Sequence, residues 1–129
     1  MYFDNKFHRQ TFCENASKFN VSDKVDMAVL YLLSADGGLW AKAKDHVKKG
    51  QIHLDDIKLH DGTPKSYTFL CCAKDFCKGT DYVTLTDLSN TDVINAKMFK
   101  VIVGALRIRR EGIQLNELAK ERSHVQAQY

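Results

Sequence analysis

The sequence is poor in features that mark several large classes of protein. It has one proline, Pro64, and because proline breaks helices, this scarcity favours a helical protein. It has no apolar stretch of about 18 residues, so we expect no membrane-spanning helix. The first residues lack the charged-then-apolar layout of a secretion signal, so we expect a cytoplasmic protein, in a host cell. The net charge of +3 is too small to indicate nucleic-acid binding by itself, and a DNA mimic would need an acidic excess.

Motifs of known catalytic sites are also missing. There is no glycine-rich phosphate loop and no H-E-x-x-H or P-C-x-x-C metal motif. His8 and Cys13 are five residues apart, which places them on different sides of a helix, and no third group would orient them. We interpret them as a surface histidine and a core thiol, and we expect no enzymatic activity.

What the sequence does contain is helical periodicity. Val25, Ala28, Val29, Leu32 and Leu33 form one apolar stripe, which predicts a buried helix. Similar spacing predicts helices over 3–18, 39–49, 66–78 and 92–111, with a further short helix after 113. We therefore expect a mainly α-helical single domain over 1–129, with about five helices and a frayed tail from about 120.

The expected boundaries follow from capping residues and from short alternating segments. Ser22, Ser66 and the segment 90–92 are candidate N-caps. The Asp36-Gly37-Gly38 run, Gly50, Gly79 and Gly112 are expected to end helices, because glycine adopts positive φ readily. Alternation of polar and apolar residues predicts a short strand pair or an extended loop near 51–60, and a short strand near 82–88.

Three of the four cysteines lie in the stretch SYTFLCCAKDFCKG, residues 66–79. The spacing C-C-x4-C lacks the paired C-x2-C of zinc ribbons, and helical geometry places Cys72 with Phe69, Ala73 and Phe76 on one face. The favoured interpretation is cysteine as a small buried hydrophobe. The alternative is a structural zinc clip, in which His53 and His60 join Cys77, or Cys71, because the thiols cannot converge alone.

Two features are candidates for partner binding. Arg107, Arg109 and Arg110 crowd a helix C-terminus, where they could grip phosphate or an acidic partner, although positive charge there also suits the helix dipole. Trp40 is the only tryptophan. If exposed it would serve as an interface anchor, and if buried it would belong to the core.

Several short motifs are spread over most of the chain. They are F-x-x-x-x-H-x-x-x-F at Phe3, His8 and Phe12; Y-L-L at Tyr31, Leu32 and Leu33; G-x-I and L-H-x-G at Gly50, Ile52, Leu59, His60 and Gly62; a helix with a small-residue turn at Phe76 to Gly79; and I-R at Ile108 and Arg109. Through them the chain resembles a family of small uncharacterised proteins of phages, prophages and mobile elements of Gram-positive bacteria. Some relatives carry W-Q-T where this chain has Thr63-Pro64.

The resemblance implies an accessory or counter-defence role. Small phage proteins without enzyme motifs often act by binding a host protein, so we expect a non-catalytic inhibitor of a host CRISPR effector nuclease such as Cas9. The alternative is a small nucleic-acid-binding regulator of a mobile element, for which Lys44, Lys48 and Lys49 would supplement the three arginines. No membrane partner is expected.

Overall fold

The computed structural model describes the backbone of residues 1–127 and the side chains of residues 1–125. Its α-helices are α1 (Lys6–Ala16), α2 (Lys24–Leu33), α3 (Gly37–Ala43), α4 (Pro64–Lys78), α5 (Leu85–Leu88), α6 (Ala96–Glu111) and α7 (Leu115–Ala127). A two-stranded sheet consists of β1 (Val47–Lys48) and β2 (Gln51–Ile52), and 3-10 turns span Lys44–His46 and Leu54–Asp56. The prediction of a mainly helical single domain is confirmed.

Helix α2 lies at the centre of the fold. Every residue from Met27 to Leu33 is buried, because α1, α3, α4 and α6 all pack against this helix. The predicted stripe is correct for four of its five residues, whereas Val25 is half-buried at the helix start. An element surrounded in this way buries its entire circumference rather than one stripe.

Side-chain caps start six of the helices. The side chains of Asn5, Asp23, Asp36, Thr63, Thr84 and Asn95 each accept a hydrogen bond from a backbone N–H in the first turn of α1 to α6. The predicted caps Ser22, Ser66 and 90–92 are therefore wrong by one to five residues, since Asp23, Thr63 and Asn95 hold those positions. All of these residue types can cap, so the position at which the backbone enters the helix decides which one does.

The Asp36-Gly37-Gly38 run begins a helix instead of ending one. Helix α2 ends earlier, at Leu33, where Ser34 donates its hydroxyl to the Leu30 carbonyl at 2.8 Å. Asp36 then caps α3, and the two glycines form the first turn of α3. The predicted helix ends at Gly79 and Gly112 are confirmed, both with positive φ.

The predicted strands are half right. Gln51–Ile52 is a strand, but its antiparallel partner is Val47–Lys48, upstream of the segment in which we expected the pair. Lys49 and Gly50 both have positive φ and form the tight turn between them. The predicted strand near 82–88 is wrong, because Thr84 and Asp87 form a capping box that starts α5.

Helix α7 closes the fold over α1. Leu118 and Val125 are buried, and Arg9 Nε lies 3.1 Å from Glu121 Oε2. The tail predicted to fray from about 120 falls within α7 as far as Ala127, and its last two residues lie outside the described ones. The fraying stays a prediction.

Candidate functional site

Helix α6 has two apolar stripes, of which only one is buried. Its inner stripe packs into the core and consists of Met98, Val101, Ile102, Ala105 and Ile108. The other, which we call the outer stripe, consists of Phe99, Val103 and Leu106. These residues are four and three positions apart, so they share one line along the helix. Phe99 and Leu106 are 43% and 44% exposed.

The three predicted binding arginines frame the end of the outer stripe. At 100° per residue, Arg110 continues the line of Phe99 and Leu106, while Arg107 and Arg109 lie to either side. All three side chains are exposed. Helix α6 also carries exposed Lys97 and Lys100, and its single acidic residue is Glu111. The helix therefore presents an apolar line with a strongly basic border.

Hollows lie on both sides of the outer stripe. The larger has a volume of about 330 Å³ and lies between Phe99, Val103 and Arg107 on one side and the start of the chain and of α7 on the other. Glu111 and Glu117 also line it, so it is not purely basic. The smaller hollow, about 100 Å³, lies beneath Leu106 and is almost entirely apolar. A partner on this face could bury apolar groups on either side of the stripe.

Trp40 lies elsewhere. It is half-buried in α3 and packs against the core. It lines neither hollow beside α6, and α3 packs mainly against α2, α4 and the 3-10 turn that follows it. Its use as an interface anchor stays a prediction.

The predicted zinc ligands lie in three different settings. His53 is exposed before the second 3-10 turn, and His60 is exposed beside Cys71 in a groove along α4. Cys77 lies in the last turn of α4, where partial burial and the charges of Asp26 and Asp23 raise the pKa of its thiol. Within residues 1–127, no three side chains of His, Cys, Asp or Glu form a group that could hold a metal ion. The zinc clip stays a prediction, which elemental analysis of the purified protein would test.

The favoured interpretation of the cysteine stretch agrees with the structure for Cys72. Its side chain is buried with Phe69 and Ala73, as the periodicity predicted, and burial raises the pKa of its thiol to about 12. Cys13 is also buried, and burial raises its pKa to about 11. Both thiols are protonated at neutral pH and are therefore poor nucleophiles.

The interpretation of His8 as a surface residue is wrong. Its ring is fully buried against Phe3 and Tyr31. Nδ1 accepts from the Asp4 backbone N–H at 3.1 Å, so Nε2 carries the proton and donates to the Tyr31 carbonyl at 2.8 Å. Burial lowers the pKa of His8 to about 4, against smaller opposing effects of the Tyr31 carbonyl and Asp4. His8 thus joins the start of the chain to α2 as a neutral ring, with no partner that would make it a general base.

Sequence reasoning also missed a groove along α4. It is lined by segment 57–60, by Tyr67, Cys71 and Lys74 on one line of α4, and by Tyr82. Tyr67, Cys71 and Lys74 are four and three residues apart, a spacing visible in the sequence. The spacing alone does not reveal a groove, because segment 57–60 and Tyr82 meet this line of α4 only in the folded chain.

Comparison with protein-family models, with curated proteins and with solved structures found no match to this chain. The resemblance to small phage and mobile-element proteins therefore stays a prediction. No helix within residues 1–127 combines the length and apolar character needed to cross a bilayer.

Proposed function

We propose that this protein is a phage-encoded, non-enzymatic counter-defence protein that binds a host CRISPR effector nuclease such as Cas9 and inhibits it by occlusion. The observation that carries the proposal is the outer stripe of α6, formed by Phe99, Val103 and Leu106. The motifs that resemble phage and mobile-element proteins supply the biological setting.

The outer stripe has the composition of a protein-binding site. Interfaces concentrate their binding energy in a few aromatic and arginine side chains, surrounded by contacts that exclude water. Phe99 and Leu106 supply exposed apolar surface, and Arg107, Arg109 and Arg110 supply a rim for an acidic partner. Charge complementarity at such a rim mainly accelerates association and selects the partner.

The size of the molecule suits inhibition by occlusion. Its accessible surface is 7639 Å², and a stable interface uses about 800 Å² of each partner. One face around α6 is therefore large enough to bind, while the remainder of the molecule blocks the partner sterically. Such a mode needs no catalytic residues.

Reconstitution with a panel of guide-loaded CRISPR effectors would test the proposal. We expect co-elution with at least one effector and loss of target-DNA cleavage by it. The triple variant Arg107→Glu, Arg109→Glu, Arg110→Glu should fold normally and lose both effects. Cleavage that continues unchanged, without co-elution across the panel, would refute the proposal.

A matched control is available on another part of the surface. Lys44, Lys48 and Lys49 are exposed and lie around the β1–β2 hairpin, away from α6 in the chain. Reversing these three charges changes the net charge by the same amount as the arginine variant. Inhibition should survive it if α6 is the binding face.

The same pair of variants tests the alternative, a nucleic-acid-binding regulator. The exposed arginines at the end of α6 and the lysines of the hairpin would then bind phosphates without regard to a protein partner. Both charge reversals should weaken DNA or RNA binding, and affinity should fall steeply with salt. Absence of binding at about 50 mM salt would reject this alternative.

A further inference from the structure

The groove along α4 is a second candidate binding surface of the molecule. It has a volume of about 570 Å³, within the range of roughly 300–1,000 Å³ that is typical of ligand sites. Segment 57–60 forms one wall and α4 the other. It shares no lining residue with the hollows beside the outer stripe of α6.

Two exposed aromatic rings border this groove. Tyr67 and Tyr82 are 58% and 59% exposed, and neither hydroxyl forms a hydrogen bond with a described residue. Each ring therefore has an open face and a free polar tip. An exposed aromatic ring at the edge of a groove can stack against a planar group such as a nucleic-acid base.

Both tyrosines are held on rigid backbone. Tyr67 lies in the first turns of α4, which Thr63 caps and Pro64 begins. The carboxylate of Asp75 fixes the loop of Tyr82, because it accepts hydrogen bonds from the backbone N–H groups of Tyr82 and Val83, each at 2.9 Å. These bonds occupy both carboxylate oxygens and pre-organise the loop beside α4.

The charge of the groove is positive. Lys58, Lys74 and His60 line it, and no aspartate or glutamate does. Neither lysine forms an ion pair with a described residue. The nearby Asp55 forms an ion pair with Lys78. This contact is the main reason that the pKa of the Asp55 carboxyl is lowered, and the charges of Lys74 and Lys58 lower it a little further. Lys74 and Lys58 are thus close enough to Asp55 for their charges to act on it, but neither is paired with it.

The geometry points to a binding site for a short stretch of single-stranded nucleic acid in the α4 groove, with bases stacked on Tyr67 and Tyr82 and phosphates near Lys58 and Lys74. A cationic groove combined with aromatic platforms is the general means of binding single strands without sequence preference. A duplex does not fit this chemistry, because its bases are stacked on one another and present no free faces. The site is independent of the partner-binding face on α6.

Fluorescence anisotropy with a labelled single-stranded DNA 12-mer of mixed sequence would test this site. We expect binding at 50 mM salt that weakens about sevenfold at 200 mM, as two phosphate contacts require. Replacing Tyr67 and Tyr82 together by Ala should weaken binding at least about 25-fold, since each stacked base contributes at least about fivefold. Replacing both by Phe should preserve it, because stacking needs the ring and not the hydroxyl.

Charge variants separate this site from the other proposals. Replacing Lys58 and Lys74 by Ala should remove most of the salt dependence, whereas the arginine triple variant of α6 and the hairpin lysine variant should bind DNA normally. The tyrosine variant should in turn keep any inhibition of a CRISPR effector. The two proposals can therefore fail separately.

Protection of Cys71 gives a second measurement, because its thiol lies between Tyr67 and Lys74 in the groove. In a Cys77→Ser background, bound DNA should slow alkylation of Cys71. The proposal is overturned if the single-stranded 12-mer does not bind, or if the variant with Ala at Tyr67 and Tyr82 keeps its affinity. It is also overturned if a duplex of the same sequence binds equally tightly. Equal affinity for a poly-glutamate decamer would also overturn it, since the groove would then recognise charge alone.

Discussion

Helices α2 and α6 are both rich in large aliphatic residues and pack against each other, yet α2 lies at the centre of the fold and α6 at its surface. In α2 every residue from Met27 to Leu33 is buried, because four helices surround it. In α6 the inner stripe is buried, and Phe99 and Leu106 on the outer stripe remain exposed. The apolar residues of α2 therefore form the core, whereas Phe99 and Leu106 keep close to half of their surface exposed.

The strongest test of this comparison is Leu32→Ala in α2. Leu32 is fully buried, so its truncation leaves a cavity, and we expect the free energy of unfolding to fall by about 2–5 kcal/mol. Chemical denaturation measures the change. Leu85→Ala is the matched control, because Leu85 is 84% exposed and its loss should have almost no effect. An unchanged midpoint for Leu32→Ala would contradict the central position of α2.

Acidic pH should lower the free energy of unfolding, because protonation of His8 disfavours its buried position between α1 and α2. The pKa of this ring is about 4 in the folded protein and about 6.5 in an unfolded chain, so the unfolded state binds more protons between these values. Stability contributed by the neutral ring is fully present above pH 6.5 and is lost as pH falls toward 4. The loss should reach about 3 kcal/mol, and denaturant titrations at several pH values would measure it.

The variant His8→Gln separates this effect from other titrations. Glutamine does not titrate, so the variant should be less stable at pH 7 but should lose less stability between pH 6.5 and 4. The groups facing His8 are Asp4, whose charge raises its pKa, and Lys65, whose charge lowers it. Parallel pH profiles for the variant and the native protein would show that His8 is not the titrating group.

The contact between α6 and α2 can be tested at Gly104. A Cβ at this position would lie 2.5 Å from the Tyr31 hydroxyl oxygen, which donates to the Tyr2 carbonyl. We expect Gly104→Ala to destabilise by about 1–3 kcal/mol, although alanine favours a helix by about 1 kcal/mol. In a Tyr31→Phe background the cost should be smaller, because the clashing oxygen is gone.

A control for Gly104 is Gly37→Ala at the start of α3. A Cβ there would meet no atom within 4 Å, so the substitution should be neutral or slightly stabilising. Gly104→Ala, Tyr31→Phe and the variant that carries both substitutions form a double-mutant cycle with the native protein, which thermal or chemical denaturation measures. Equal costs of Gly104→Ala with Tyr31 and with Phe at position 31 would refute the close approach.

The smallest expected effect on stability belongs to the outer stripe. Phe99→Ser and Leu106→Ser should each lower the free energy of unfolding by about 1–1.5 kcal/mol, less than Leu32→Ala, because these residues are 43% and 44% exposed. If α6 is the binding face, the same variants should weaken partner binding at least tenfold in a co-elution or anisotropy assay. A loss of stability as large as that of Leu32→Ala would show that the outer stripe belongs to the core, and would contradict its proposed role as a binding surface.

Local sequence patterns predicted much of this molecule because its helices are locally encoded. The stripe containing Leu32 and the burial of Cys72 followed from helical spacing, and the ends at Gly79 and Gly112 followed from the left-handed conformation that glycine favours. The failures arose where two local signals compete. At 82–88 alternation suggested a strand, but the Thr84 and Asp87 capping box determines the outcome.

The sequence by itself determined the helical class, the helix ends at Gly79 and Gly112 and the buried character of α2, because periodicity and glycine conformation act within a few residues. Only the tertiary structure decided that Phe99 and Leu106 form a second, exposed stripe on α6, that His8 is buried, and that Tyr67 and Tyr82 border one groove. His8 binds a carbonyl 23 residues away in the chain, and the groove joins segment 57–60 to α4 and to Tyr82. Such contacts depend on how complete helices pack, which no local spacing specifies.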